Sequence, residues 1–363
     1  MTKSLTYVRD LFSDDELTTI KNWPLISGIR HPTWFPIFYE EQKPVEILSN
    51  GAVANIDRDG GAGWLKSLRP RLLQYDNPEE ASACLAELRA YGGLLEAGFS
   101  VKPIHRSSKA TPDFEIDAGD GRVIVEVFTK HEDGDQLTTR RAIAAGETPL
   151  GVERSVIEGK HVTVHTTISV GQPGGAPNPE KPNDSVQANV ISRVCAAKGN
   201  ETQLPDDAPS LLWIDFRSFG SWPEVFDIRQ TSPIMSGHRG LTSGALWYAL
   251  YGWKGAPIFE EDFFPLDRVV PMGHDGRFRL AGNKKTKLSG AILALSEGVA
   301  FLENPWAKNR LFDKARRMIE RLPWFDLSAS ICDWHPGDAK MRVDLGKREI
   351  EAMEYWREQL NKD

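Results

Sequence analysis

The chain has 363 residues, of which 40% are hydrophobic and 26% charged, and these ordinary globular values exclude global disorder and a fibrous repeat. The length allows about two domains. The formal net charge at pH 7 is −7. A chain that is acidic overall does not attract polyanions in general, so any contact with nucleic acid requires a local basic patch.

The cysteines and the N-terminal residues indicate where in the cell the protein is located. Cys84, Cys195 and Cys332 lie far apart in the sequence, which excludes a zinc ribbon and a disulfide framework and indicates a reducing environment. Residues 1–10 contain no apolar signal core. Nowhere does the sequence reach the about 18 consecutive apolar residues that a membrane span needs. We therefore expect a cytoplasmic protein that does not contact a membrane.

The N-terminal part, residues 1–72, is predicted to be an irregular accessory region. Ser13-Asp14-Asp15-Glu16 has the spacing of a capping box and predicts the start of a helix. The Gly- and Asp-rich run from Asn55 to Gly63 predicts a loop. From Glu79 onward, apolar residues recur at helical spacing until Gly98, which favours a helix end.

Three strands are predicted after this helix, over 99–104, 113–117 and 123–128. The last two flank Ala118-Gly119-Asp120-Gly121 and predict a β-hairpin. Later patterns predict a strand over 160–170, a helix over 186–198, a strand over 211–216, a helix over 243–251, strands over 291–295 and 298–302, and a helix over 349–360. The order of helix, three strands, insertion, helix and strand indicates an α/β core with a mixed sheet.

Three carboxylates stand out in this unit. A hairpin turn centred on Gly119-Asp120 places Asp113 directly opposite Glu126, with Cβ atoms about 4.5–5.5 Å apart. Two like charges at this distance repel each other and destabilise the hairpin. A divalent cation bound between them would replace this repulsion with attraction of both carboxylates to the ion. Glu87 borders the apolar face of the preceding helix and could point toward the sheet as a third carboxylate. The hairpin register decides whether Asp113 and Glu126 can share one ion, because a slip of one residue would put the two carboxylates on opposite faces of the sheet.

These residues resemble the PD-(D/E)XK nuclease superfamily, which has the restriction-endonuclease-like fold. The family pattern is a helix Glu, then Pro-Asp at the start of a strand, then Glu-x-Lys on the next strand. This chain has Glu87, Pro112-Asp113 and Glu126 in that order. The predicted helix over 186–198 and strand over 211–216 also match the αβββαβ core of the family. The resemblance covers about residues 79–216 and implies a mixed central sheet flanked by helices.

The position of the family's lysine differs in this chain. Two residues after Glu126 the chain has Phe128, and the next lysine on the same strand face is Lys130. Four strand residues span about 13 Å, so Lys130 reaches the site only if the strand bends or bulges. Lys198, near the end of the predicted second helix, is another candidate because some family members take the lysine from a neighbouring helix. The third alternative is that catalysis has been lost.

The resemblance implies Mg²⁺-assisted hydrolysis of phosphodiester bonds, with Mn²⁺ as an alternative ion. Asp113, Glu126 and the Val127 carbonyl would hold the metal. Glu87 would assist directly or through water, and Lys130, the preferred lysine, would orient the attacking water. By analogy with relatives that cut both strands, a homodimer is possible.

Basic clusters are candidates for phosphate contacts, although such runs more often form a solvated face. The selected nucleic-acid-binding residues are Lys102, Arg106, Lys109, Lys284, Lys285 and Lys287. Another cluster comprises Lys308, Arg310, Lys314, Arg316, Arg317 and Arg321. Trp306 and Trp324 flank that cluster, and for both of them packing is favoured over base stacking.

The sequence therefore predicts a nuclease-like domain over 73–325, preceded by the accessory region 1–72 and followed by a helical tail over 326–363. The expected function is metal-dependent cleavage of nucleic acid, with DNA favoured and bacterial defence or repair as the context suggested by the family. Two alternatives stay open. The first is an inactive nuclease fold that binds nucleic acid or protein, and the second is an interaction protein whose acidic surface meets a protein partner.

Overall fold

The computed structural model describes most of the N-terminal two fifths of the chain and the later sheet strands. The described residues are 4–26, 30–39, 44–105, 111–131, 150–154, 164–168, 194, 203–217, 245–255, 257–258, 270–271, 273, 275–279, 286–296, 298–327, 330, 348, 351–352, 355–356, 358–359 and 362. Apart from residue 194, the predicted helix over 186–198 lies outside them. No helix in the described part is long and apolar enough to cross a membrane.

Five helices precede the sheet in the described N-terminal part. They are α1 (Asp14–Lys21), α2 (Phe35–Phe38), α3 (Pro44–Arg58), α4 (Ala62–Leu72) and α5 (Pro78–Glu96). The predicted cap of α1 is confirmed, because Ser13 Oγ accepts from the Glu16 N–H and Glu16 Oε2 accepts from the Ser13 N–H. Helix α5 ends before Gly98, whose φ of 99° suits glycine. The prediction of an irregular N-terminal region was wrong, since α3 and α4 are helices that fill much of 44–72.

Most of the described strands belong to one central sheet. The described strands are β1 (Ser100–Pro103), β2 (Phe114–Asp117), β3 (Arg122–Thr129), β4 (Leu150–Arg154), β5 (Val164–Ile168), β6 (Ser210–Asp215), β7 (Pro257–Ile258), β8 (Val270–Pro271), β9 (Leu288–Ala294) and β10 (Val299–Glu303). The central sheet has six strands in the order β1-β2-β3-β6-β9-β10. Pairs β3–β6 and β6–β9 are parallel, whereas β1–β2, β2–β3 and β9–β10 are antiparallel. The predicted mixed α/β sheet is therefore confirmed. Strands β4 with β5, and β7 with β8, form two separate pairs.

The β2–β3 hairpin has the predicted register. Phe114 pairs with Val125 and Asp117 pairs with Arg122. Gly119 occupies the turn with φ 86°, and its N–H donates to Asp117 Oδ1 at 2.6 Å. The positive φ explains the glycine in this turn, because residues with a side chain rarely adopt it. A fixed turn thereby sets the register on which the carboxylate argument depends.

The two faces of the sheet bury different hydrophobic clusters. The first core joins Val123, Val125 and Trp213 to Leu88 of α5 and to side chains of α3, α4 and the region before α1. The second core joins Ile124, Leu212 and Ile214 to helix α6 (Ala245–Tyr251). Alternation along β3 assigns its odd-numbered side chains to the first core and its even-numbered ones to the second. Residues 1–72 therefore share a core with the sheet, and the boundary proposed at residue 72 stays a prediction.

A buried ion network connects the N-terminal helices to the centre of the sheet. Arg89 of α5 donates to both carboxylate oxygens of Asp215, at 3.3 and 3.4 Å, and to Ser49 Oγ of α3. Arg217 adds a backbone N–H bond of 2.9 Å to Asp215 Oδ1, and its guanidinium lies 3.6 Å from Oδ2. All three charged side chains are almost fully buried. Burial lowers the pKa of Arg217 to about 10, although Asp215 opposes this shift.

His31 is a second buried polar group and lies before α2, with 1% of its surface exposed. Its ring packs against Trp23 and Tyr75. Nδ1 accepts the N–H of Thr33 at 3.3 Å, so the hydrogen-bond network assigns the proton to Nε2, which faces the Gln74 carbonyl at 3.3 Å. A second proton would turn Nδ1 into a donor that faces the Thr33 N–H, and the hydrogen bond between them would be lost. Burial lowers the pKa of His31 to about 4.

We expect His31 to make the protein less stable in acid. Because its folded pKa of about 4 lies below the ordinary 6.5, the unfolded state binds more protons between these values. Its contribution is fully present above about pH 6.5 and falls by about 3 kcal/mol at pH 4. Urea unfolding of the wild type and His31→Gln at pH 7 and pH 4 measures this, and the variant should lose less stability on acidification. An equal loss in both proteins would contradict the assignment.

Candidate active site

Asp113 and Glu126 lie where β2 begins beside the middle of β3. Glu126 is inside β3, and Asp113 directly precedes the first residue of β2. Both side chains are half-buried. Continuing the observed register by one residue from the pair Phe114–Val125 places Asp113 opposite Glu126. The register that the turn predicts is therefore the observed one over Phe114–Asp117 and Arg122–Val125, while the pairing of Asp113 with Glu126 and the role of the two carboxylates as metal ligands stay predictions.

The Pro-Asp pair explains how the ladder ends here. Asp113 donates its N–H to the Val125 carbonyl on β3 at 3.1 Å, whereas its own carbonyl accepts from Ile104 on the opposite side at 2.8 Å. The next backbone position, Pro112, has no N–H to give to a carbonyl of β3, which limits the ladder. The N–H of Val127 donates to Asp113 Oδ2 at 2.8 Å. The side chain of Asp113 thus takes the place of a backbone acceptor, and this bond fixes its carboxylate against β3.

The backbone of Val127 presents its polar groups on the same side. In a strand, the N–H and C=O of one residue point toward the same neighbouring strand. Because the Val127 N–H points to Asp113, its carbonyl also points to the edge where β2 begins. The Glu126 side chain alternates with Val127 and shares its face with Ile124 and Phe128, which pack in or against the second core. The Asp113 carboxylate and the Val127 carbonyl therefore lie at the same edge of β3, and Glu126 is the residue before Val127 on that strand.

Glu87 is held by a different partner. Arg71 of α4 donates to it with two parallel bonds, Nη1 to Oε2 at 2.7 Å and Nη2 to Oε1 at 2.8 Å. Arg71 also forms an ion pair with Glu80. Burial alone would lower the pKa of Arg71, but the bonds to Glu87 outweigh it and raise that pKa. Since α5 packs in the first core, Glu87 lies on the other face of the sheet from Glu126, and the structure does not bring these two side chains together.

Lys130 directly follows β3 and is buried, with 3% of its surface exposed. Its backbone N–H donates to the Asp215 carbonyl at 3.0 Å, and its ammonium group donates to the His131 carbonyl. Phe128, at the position of the family's lysine, is half-buried against the second core. Desolvation lowers the pKa of the neighbouring His131. The ammonium group of Lys130 therefore lies at the carboxyl end of β3, where β6 also ends.

The proposed nucleic-acid contacts are only partly described. The contacts Arg106, Lys109, Lys284 and Lys285 lie outside the described residues, as does Lys198, the alternative catalytic lysine. Lys102 is exposed on β1, at one edge of the sheet. Lys287 is engaged within the protein, because its Nζ donates to the Leu204 carbonyl at 2.8 Å and lies 3.4 Å from Asp206. Of the described pair, Lys102 is the more available to a ligand.

No family model, curated protein or solved structure matches this chain. Among the described residues, no group of three or more His, Cys, Asp and Glu side chains is arranged to hold a metal ion. The functional argument therefore rests on the two carboxylates and the Val127 carbonyl.

We expect the bond between Arg71 and Glu87 to be a strongly coupled buried pair. Arg71→Leu leaves a buried carboxylate without its partner and should destabilise the protein by about 3–5 kcal/mol. Arg71→Leu/Glu87→Leu removes both charges and should recover most of that loss. A double-mutant cycle by urea unfolding measures the coupling, and additive losses in the two single variants would contradict the pairing.

Proposed function

We propose that the protein is a metal-dependent nuclease of the PD-(D/E)XK type that hydrolyses phosphodiester bonds, with DNA as the favoured substrate. The observation that carries the proposal is the position of the Asp113 carboxylate, which the Val127 N–H holds at 2.8 Å beside Glu126 on the neighbouring strand. Support also comes from the element order, since α5 precedes three antiparallel strands and β6 then joins β3 in parallel.

The donor set fits Mg²⁺ or Mn²⁺. Both ions take oxygen ligands, and Mg²⁺ binds through one or two carboxylates and keeps several waters. The bond from Val127 uses one acceptor site of Asp113, and a carboxylate has about four such sites. Bound there, the ion would supply Lewis-acid polarisation of a phosphodiester oxygen.

The residues of the chain would bind the ion, limit the access of water and orient the attacking water. Asp113 and Glu126 would hold the ion, with the Val127 carbonyl as a further ligand. Phe128 and Ile104, which pack against the second core, would form an apolar wall beside the carboxylates and limit the entry of bulk water. Lys130 would orient the attacking water if its ammonium group turned from the His131 carbonyl toward Glu126. Lys198 is the alternative source of that positive charge.

A second candidate function is that of an inactive nuclease fold which binds nucleic acid. Phe128 favours it, because the position two residues after Glu126 holds an aromatic ring packed against the second core in place of a lysine. The bond between Glu87 and Arg71 favours it as well, since it engages the third acidic residue of the motif. Under this alternative Asp113 would serve only to end the β2–β3 ladder.

Cleavage assays separate the two functions. We expect the wild type to cut plasmid or single-stranded DNA with Mg²⁺ or Mn²⁺ and to be inactive in EDTA. Asp113→Asn and Glu126→Gln should each lower the rate by about a hundredfold or more, because they remove a charge that holds the ion. The amide side chain introduced by Asp113→Asn keeps an oxygen for the Val127 N–H, so the fold should survive.

The matched control is Glu115→Gln, which makes the same chemical change in the same hairpin. Glu115 lies on β2 at 3.8 Å from Arg122 and opposite Ile124, and its loss should leave the rate within about twofold. Equal band patterns from the wild type and Asp113→Asn would overturn the nuclease proposal and favour the inactive fold.

A further inference from the structure

Helix α7 (Asp313–Ile319) presents one exposed basic side. Lys314, Arg317 and Arg321 are exposed, and their spacing of three and four residues aligns them along the helix and the turn that follows it. The N–H of Arg321 donates to the Met318 carbonyl, which continues the turn. The opposite side of the segment is buried in the first core. We call Lys314, Arg317 and Arg321 the basic stripe.

The stripe carries positive charge that the described residues leave unneutralised. No ion pair joins these three side chains to a carboxylate in the described part of the chain, whereas the neighbouring Arg316 lies 3.8 Å from Asp313. Two acids, Asp313 and Glu320, belong to the same segment, and Asp120 accepts the backbone N–H of Lys314. In a chain of net charge −7, such a concentration of cations is complementary to a polyanion.

Trp324 follows Arg321 by three residues in the sequence and is held in an unusual conformation. Its φ is 60°, the one positive value at a non-glycine residue in the described chain, and 37% of its surface is exposed. Two bonds to β10 fix this backbone, from the Val299 N–H to the Trp324 carbonyl at 2.9 Å and from the Asp326 N–H to the Val299 carbonyl at 2.8 Å. A strained residue that its surroundings hold in place is typical of functional sites.

We propose that the basic stripe and Trp324 bind single-stranded nucleic acid. The three cations would follow the phosphates over about 10 Å, and the indole ring would stack on an unpaired base. Bases in a duplex are already stacked, so the exposed ring favours a single strand over a double helix. The choice of nucleic acid among polyanions rests on the proposed function. Because α7 packs in the first core, this surface lies on the other side of the sheet from Glu126.

Fluorescence anisotropy of a labelled thymidine 20-mer with the full chain in EDTA tests the proposal without any cleavage. Arg317→Glu/Arg321→Glu should weaken binding by about tenfold or more. It should also reduce the slope of log affinity against log salt by about 1.4, since each of the two phosphate contacts contributes about 0.7. Trp324→Gly suits the positive φ and should weaken binding about tenfold, while binding of an abasic 20-mer should change by less than about twofold.

The matched charge control is Arg9→Glu/Lys66→Glu, which makes the same change at exposed positions on other elements. It should alter binding by less than about threefold. Equal weakening in both double variants, or no binding at low salt, would overturn the proposal. Equally tight binding of polyglutamate would assign the surface to acidic proteins and overturn it as well. If the protein binds the 20-mer in EDTA but does not cut DNA, the result would support the proposed binding surface and contradict only the proposed nuclease function.

Discussion

One hydrogen bond links the sequence motif to the geometry of the candidate site, the bond from the Val127 N–H to the Asp113 carboxylate. Pro112 has no N–H to donate to a carbonyl of β3, and the carboxylate of Asp113 accepts the Val127 N–H, which points to this edge of β3. A buried N–H without a partner costs free energy, so the bond stabilises the hairpin and positions a carboxylate in the same step. The proposed metal site depends on this coupling, because the bond fixes one of the two carboxylates that would hold the ion.

The parts of the fold that sequence predicted are those set by local rules. The capping box at Ser13 and the turn at Gly119 each act within a few residues, and both are confirmed. Strand β6, strand β10 and the second half of β9 were recognisable because each contains a run of apolar residues. The hairpin register follows from the turn position alone, and the observed pairs confirm it as far as Phe114 and Val125.

The parts that sequence missed depend on contacts between distant residues. Asp215 is fully buried, and its partner Arg89 lies 126 residues earlier, so no local pattern identifies the pair. Glu87 has the spacing of a helix residue that could face the sheet, but its partner Arg71 becomes apparent only when α4 packs on α5. Helices α3 and α4 were missed because residues 1–72 were predicted to be irregular and the Gly- and Asp-rich run from Asn55 to Gly63 to be a loop, whereas burial in the first core stabilises both helices. Packing outweighed weak local preference in each case.

The central claim is that Asp113 and Glu126 bind one divalent cation, and a titration with Mn²⁺ followed by electron paramagnetic resonance tests it directly without DNA. The account predicts about one bound Mn²⁺ per wild-type chain, with affinity lowered at least about tenfold in both Asp113→Asn and Glu126→Gln and unchanged in Glu115→Gln. Equal binding by the wild type and both site variants, or no binding by the wild type, would contradict it.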